Sequence, residues 1–273
     1  MKCDLHIHSN KSDGKYSPTE IVNKAIGKGL QCIALCDHDT VSGVKEAQCV
    51  AEVDNRIKVI AGIEISTIHA GRDVHILSYN IDYNNDNFLA DLQEIKQLRE
   101  LRNVKMIEKL NEFGLGLDLD EIKSRNMDKS IGRALFAQEL VTKGCVSSKA
   151  EAFEKYLGTE GLAYVTTRRL TPVEAIQLSL KYGGIPVLAH PKNLGMSKSE
   201  FCSFLRPLVL AGLGGIEAMY FSHTSVERRF YFKQARNFNL IATGGSDYHD
   251  ETHGHELGEF FSPTNYTKKF LGL

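Results

Sequence analysis

The 273-residue sequence has almost no net charge, no Cys-x-x-Cys pair and no apolar run long enough to span a bilayer, and each absence narrows its function. Thirty-three Lys and Arg against 34 Asp and Glu leave a formal charge of −1, so no global field draws in long nucleic acid or an acidic membrane. An anionic substrate must be held by local charge. The six cysteines, Cys3, Cys32, Cys36, Cys49, Cys145 and Cys202, are scattered without Cys-x-x-Cys spacing and read as reduced core thiols. No basic segment followed by an apolar stretch leads into the first strand, so the expected location is the cytoplasm, with no membrane contact and no obligate protein partner.

What the chain does have is 42% hydrophobic content and a length that suits one large α/β domain, or a domain with an insertion. Its first apolar stretch, Asp4-Leu5-His6-Ile7-His8-Ser9, reads as a strand. Side chains alternate between the faces of a strand, so His6 and His8 point one way while Leu5 and Ile7 point back into packing. Imidazole and carboxylate suit Zn, Mn and Fe, and Asp13 lies just beyond the strand end. Two such histidines alone are commonplace, and the remaining chain decides their meaning.

A βα alternation comes next. Ser17-Pro18-Thr19-Glu20 is a capping box with proline at the first helical position, and the helix it opens runs to about residue 28, closed by Gly29. The continuously apolar run 32–36 predicts a strand buried on both faces, ending in Asp37-His38-Asp39-Thr40. A helix over about 44–53, a strand over 57–65 carrying Glu64, and a turn at 70–73 precede another strand at 74–79 with His75 near its start. A ligand at the start of a strand suggests an antiparallel or irregular pairing there.

From about residue 84 the pattern becomes helical throughout, with helices at about 88–113, 119–124, 131–143 and 149–157. This block, 84–166, reads as an inserted subdomain in a barrel formed by 1–83 and 167–273. The alternation resumes at the second capping box, Thr171-Pro172-Val173-Glu174, succeeded by a strand at 185–189 ending in His190-Pro191. Helices at about 200–210 and 225–237 then separate the strands 215–220, which runs into His223, and 240–243, which runs into Gly244-Gly245-Ser246-Asp247-Tyr248-His249. About seven strands linked mostly by helices point to a barrel, in which functional groups gather at the strands' carboxyl ends. His6, His8, His38, Glu64, His190, Asp247 and His249 all fall at or near such ends. Asp4, Asp37 and Asp39 are placed either to hold the rings of these histidines from behind or to serve as caps and turn residues.

Asp4-Leu5-His6-Ile7-His8-Ser9, Ser12-Asp13-Gly14, Cys36-Asp37-His38-Asp39-Thr40, Gly62-Ile63-Glu64-Ile65-Ser66, His75-Ile76-Leu77, Leu188-Ala189-His190-Pro191 and Gly245-Ser246-Asp247-Tyr248-His249 together resemble the polymerase and histidinol phosphatase (PHP) family, in its order and over nearly the whole chain. The resemblance implies a distorted (β/α)7 barrel with an all-helical insertion, holding three divalent ions, Mn, Zn or Fe. One ion would take His6, His8, Glu64 and Asp247; a second would share Glu64 and add His75 and His190; the third would take Asp13, His38 and His249. It also implies phosphate ester hydrolysis by a metal-bridging hydroxide, with Asp247 and His223 at the reacting groups, His223 as proton donor or phosphate contact, and Arg133 on the phosphate. Lys155 and the pair Arg168-Arg169 read either as a solvated charged face or as second contacts, while His69, His253 and His255 read as loop residues. The implied substrate is a small nucleotide, a nucleoside monophosphate or 3′,5′-bisphosphate. Alternatives within the same resemblance are histidinol phosphate, the 5′ end of short RNA, and a non-catalytic sensor of a phosphorylated ligand.

Overall fold

The computed structural model describes residues 1–126, 131–166, 168–251, 256–258 and 263–273; His253 and His255, expected in a loop, lie outside the described residues. Seven strands form one sheet: β1 Cys3–Ile7, β2 Cys32–Leu35, β3 Lys58–His69, β4 Arg72–Tyr79, β5 Ile185–Leu188, β6 Gly215–Tyr220 and β7 Ile241–Gly245, each pairing with its neighbour in chain order. The helices are α1 Pro18–Gly27, α2 Val44–Asp54, α3 Asp86–Glu112, α4 Leu119–Arg125, α5 Arg133–Thr142, α6 Lys149–Ala152, α7 Pro172–Lys181, α8 Lys198–Leu210, α9 Ser225–Asn237 and α10 Asn265–Leu271. No helix among the described residues is long and apolar enough to cross a membrane. The chain divides into two compact units, Met1–Leu89 with Leu170–Leu273, and Ala90–Arg169.

In the first unit the sheet curls until its ends meet. The Asp247 amide donates to the His6 carbonyl at 2.8 Å and the His8 amide to the Tyr248 carbonyl at 3.0 Å, which nearly closes a barrel. β4 runs antiparallel to both β3 and β5, whereas every other neighbouring pair is parallel. Its first residues therefore lie at the end of the barrel where the parallel strands finish, and this brings His75 level with the other strands' carboxyl ends. The capping boxes expected at Ser17/Glu20 and Thr171/Glu174 form, and two more, Ser197/Glu200 and Thr224/Glu227, start α8 and α9. His69, expected in a loop, is instead the last residue of β3, its ring centroid 4.9 Å from that of Phe204.

β1 departs from strict alternation. Asp4 and Ile7 face Ile33 and Leu35, so β1 carries one residue more than β2 over that stretch. Cys3 and Leu5 accordingly join the interior cluster with Ala34, Ile60, Leu77, Tyr79, Val187 and Ile241, while Ile7 turns outward to pack with Ile21, Val22 and Leu35 beneath α1 and α2. The expectation that Leu5 and Ile7 share a face fails because an extra residue reverses the side-chain order beyond it.

The second unit is all-helical around its own core, in which Met106, Leu110, Phe136, Leu140 and Leu157 are buried. Asp118 caps α4 through the amides of Asp120 and Glu121, and Ser148 caps α6. The helix expected over 149–157 is α-helical only through Ala152; Phe153–Leu157 is a turn of π-helix.

Gly245 sits where β7 meets β1, and a Cβ there would lie 2.4 Å from His6 Cβ and 2.5 Å from His6 N. Gly245→Ala must push the seam apart, and we expect a loss of about 1–3 kcal/mol in urea unfolding. An unchanged unfolding midpoint would show that the seam yields freely.

Candidate metal centre

Glu64, near the middle of β3, is 1% exposed and surrounded by imidazoles. Its Oε1 lies 2.9 Å from both His75 Nδ1 and His190 Nε2; its Oε2 lies 3.1 Å from His38 Nδ1, 3.2 Å from His8 Nε2 and 3.3 Å from His6 Nε2. Asp247 approaches from the end of β7, with Oδ1 3.0 Å from His8 Nε2 and 3.3 Å from His6 Nε2. On the far side of His8, Asp13 Oδ1 is 3.1 Å from His249 Nε2 and 3.6 Å from His8 Nδ1, and its Oδ2 is 3.8 Å from His38 Nε2. All nine expected ligands therefore gather in one continuous cluster. Its tight groupings are His6, His8, Glu64 and Asp247; His8, Asp13, His38 and His249; and His38, Glu64 and His75. His8 and His38 thus stand between groups.

The donor set fits divalent ions. Donors bound to one ion at about 2.0–2.1 Å and separated by tetrahedral or right angles lie about 2.8–3.4 Å apart, the range seen around Glu64 and Asp247. Glu64 Oε2, Asp247 Oδ1, Asp13 Oδ1 and His38 Nδ1 are buried yet make no hydrogen bond, despite their close neighbours. Buried polar atoms left without a hydrogen bond call for an explanation, and a divalent ion set among them supplies one.

The loops are held by the aspartates placed behind the ligands, through backbone and hydroxyl groups. Asp4 accepts the amides of His6, Ser246 and Gly258 and the Ser246 hydroxyl, tying β1 to the end of β7. Asp37 accepts the Ser9 amide and the hydroxyls of Ser9 and Ser12, fixing the turn that presents Asp13. Asp39 accepts the Ser66 amide. The carboxylate that backs a ligand ring is a different one: Glu217, fully buried on β6, with Oε1 3.1 Å from His6 Nδ1. Tyr220 also escaped the sequence reading; its hydroxyl donates to Asp247 Oδ2 at 2.9 Å, leaving Oδ1 to the cluster. The available signal for Glu217 was a lone acidic residue inside an apolar strand.

Electrostatics divide the histidines. Burial opposes charge on His8, but Asp247 and Glu64 override it and push its pKa up to about 10. His6, His190 and His249 are likewise raised by their carboxylate neighbours against the pull of burial. Burial dominates at His38, whose pKa falls to about 3. The carboxylates Asp13, Glu64 and Asp247 are held well below their ordinary range by the surrounding rings although burial acts the other way.

His223 is buried, 3% exposed, just after β6. Its Nδ1 donates to the Ala218 carbonyl at 3.1 Å, Nε2 has no partner, and burial lowers its pKa, so the neutral ring offers a lone pair at Nε2. In the second unit, Arg133 comes directly after Gly132 at the start of α5, with Nη1 donating to the Leu157 carbonyl at 3.3 Å and its guanidinium 6.0 Å from the Phe153 ring centre. Lys155 is exposed and pairs with Glu151. Arg168 and Arg169 close that unit in sequence.

The chain is similar to known proteins over most of its length. The PHP domain model matches residues 4–159. A 5′-3′ exoribonuclease of Haemophilus influenzae is 36% identical over 94% of this chain and 93% of its own length. A 3′,5′-nucleoside bisphosphate phosphatase of Chromobacterium violaceum is 30% identical over 90% of this chain and 86% of its own. A Bifidobacterium adolescentis crystal structure described as a metal-dependent phosphoesterase superposes with a TM-score of 0.87 at 26% identity, covering 99% of this chain and 95% of that one.

A histidine whose pKa stands near 10 carries a proton at pH 7 in the metal-free protein, and a ligand must give that proton up. Mn2+ binding at pH 7 is therefore expected to release at least about one proton per protein and to tighten as the pH rises. Calorimetric titration in buffers of different ionisation enthalpy measures this release; heats independent of the buffer would contradict it.

Proposed function

The chain belongs to the PHP family of metal-dependent phosphoesterases, and on that premise we propose that it hydrolyses the phosphate ester of a small nucleotide at a centre of three divalent ions. The observation that carries the reading is the ring of donors around Glu64, with orphaned lone pairs on Glu64, Asp247, Asp13 and His38. Bound divalent ions there supply Lewis-acid polarisation of the phosphoryl oxygens and a water acidic enough to attack near neutral pH.

The chain's own residues would do the rest. His6, His8 and Asp247 hold one side of the centre, His75 and His190 the Glu64 Oε1 side, and Asp13, His38 and His249 the third position. Asp247 would offer Oδ1 to the centre while the Tyr220 hydroxyl, bonded to Oδ2, holds the carboxylate in place. His223 in its neutral form accepts a hydrogen bond at Nε2, which suits a substrate hydroxyl; once protonated there, it donates to the leaving oxygen. The planar guanidinium of Arg133 matches two phosphate oxygens at once, and Lys155, already paired with Glu151, is the weaker second contact.

The exoribonuclease relative favours a second substrate, the 5′ end of short RNA, in which a phosphodiester is broken in place of a monoester. A net charge of −1 supplies no counterion-releasing surface for long nucleic acid, so both readings keep the substrate short.

Phosphate or mononucleotide release from AMP, adenosine 3′,5′-bisphosphate, histidinol phosphate and a short 5′-phosphorylated RNA, with Mn2+ present, tests this. We expect turnover of nucleotides, lost with His8→Ala and reduced about 10- to 1,000-fold in kcat/KM with Arg133→Ala, the cost of removing a charged phosphate contact. Activity on histidinol phosphate alone would replace the substrate class, and metal binding without turnover of any compound would make the protein a sensor.

A further inference from the structure

Glu217 is the one fully buried carboxylate among the described residues that touches the centre from behind. Its two oxygens have separate tasks. Oε1 lies 3.1 Å from His6 Nδ1, and Oε2 accepts the His190 amide at 2.7 Å. His6 closes β1 against the ligands Glu64 and Asp247 through Nε2, and His190 meets Glu64 through its own Nε2. One side chain on β6 thus grips ligands from β1 and from the end of β5. His190 also has a φ of +24°, a conformation L-residues rarely adopt, and the bond from its amide to Glu217 helps hold it there. Beside Glu217 the strand is irregular: Glu217 and Met219 face Thr243 and Gly244, so β6 carries an extra residue at Ala218. Such a bulge re-aims the side chains that flank it, here Glu217 and then Tyr220.

We propose that Glu217 is a positioning residue that fixes His6 as the Nδ1–H tautomer and keeps the Nε2 lone pair on the metal centre, while it locks the His190 backbone in register. The inference rests on the metal-dependent reading above. A carboxylate accepts from both donors at once, one at each oxygen. Its charge also raises the electron density of the His6 ring it supports, strengthening Nε2 as a ligand.

Glu217→Gln separates this role from bulk packing, since it keeps the volume of the side chain. The amide offers one oxygen and one NH2 where two donors converge. Either its NH2 faces His6 and forces the ring to Nε2–H, removing the lone pair, or it opposes the His190 amide and frees that backbone. We expect Mn2+ affinity, measured calorimetrically, to fall about 10- to 100-fold with the far-UV circular dichroism unchanged. Glu217→Asp, one methylene shorter, should lose less.

If the unsubstituted protein binds no Mn2+, the metal reading itself fails. If it binds and Glu217→Gln binds equally well, the positioning role fails and the metal reading stands. Nitrogen-15 NMR of the Zn2+-loaded, unsubstituted protein decides the tautomer without any variant, and so holds even if the variants do not fold. A protonated Nδ1 on His6 supports the proposal, and a protonated Nε2 overturns it.

Discussion

The structure depends on one carboxylate held among five imidazoles. Glu64 lies within 3.3 Å of nitrogen atoms from His6, His8, His38, His75 and His190, which belong to or come just after four other strands. A buried carboxylate in an apolar barrel is costly unless its charge is answered, and burying five rings with it adds to the cost. Proton sharing answers part of it at Oε1, where His75 and His190 bond. At Oε2 the neighbours stand at polyhedral rather than hydrogen-bonding geometry, and divalent charge is the matching partner.

Several departures from ideal geometry serve that arrangement. β4 runs against its neighbours and so delivers His75 from the start of a strand. The extra residue in β1 allows Leu5 to fill the barrel and His6 and His8 to face the cluster. Asp39, His190 and Asp247 all sit at positive φ just past strands, where the chain must turn sharply while still aiming a side chain or carbonyl inward. Local strain of this kind persists when surrounding bonds over-determine it, and here Asp4, Asp37 and Glu217 supply those bonds.

Beneath the polar layer the barrel is dry. Cys3, Leu5, Cys32, Cys36, Ile60, Tyr79, Val187 and Ile241 pack in its interior, and the Tyr79 hydroxyl is satisfied by the Leu5 carbonyl at 2.8 Å. Cys3, Cys32 and Cys36 are core groups as expected, whereas Cys49 is exposed and Cys145 and Cys202 are half-buried, and burial raises the pKa of Cys36 well above its ordinary value. A rigid apolar floor limits how far the ligand rings can move, which favours a preformed site over one assembled by the ion.

Most of the element order was legible in the sequence because the signals are local. Capping boxes at Ser17 and Thr171, the apolar runs of β2 and β5, and the helical spacing after residue 84 each depend on neighbours a few positions away. The nine expected ligands were legible as a set through the resemblance to the PHP family, and seven of them already stood out in the sequence at or near the ends of strands. What the sequence by itself determined is therefore the alternation of strands and helices and the kind of chemistry its polar strand ends hold. Only the tertiary structure decided how those groups meet: that His8 and His38 stand between neighbouring groups, that Asp4 and Asp37 bind backbone and hydroxyls while Glu217 backs His6, and that Ile7 turns away from Leu5. Those outcomes depend on register, strand direction and side-chain depth, which are set by packing between residues as far apart as His6 and Glu217 or Asp4 and Gly258 and leave no local periodicity to read.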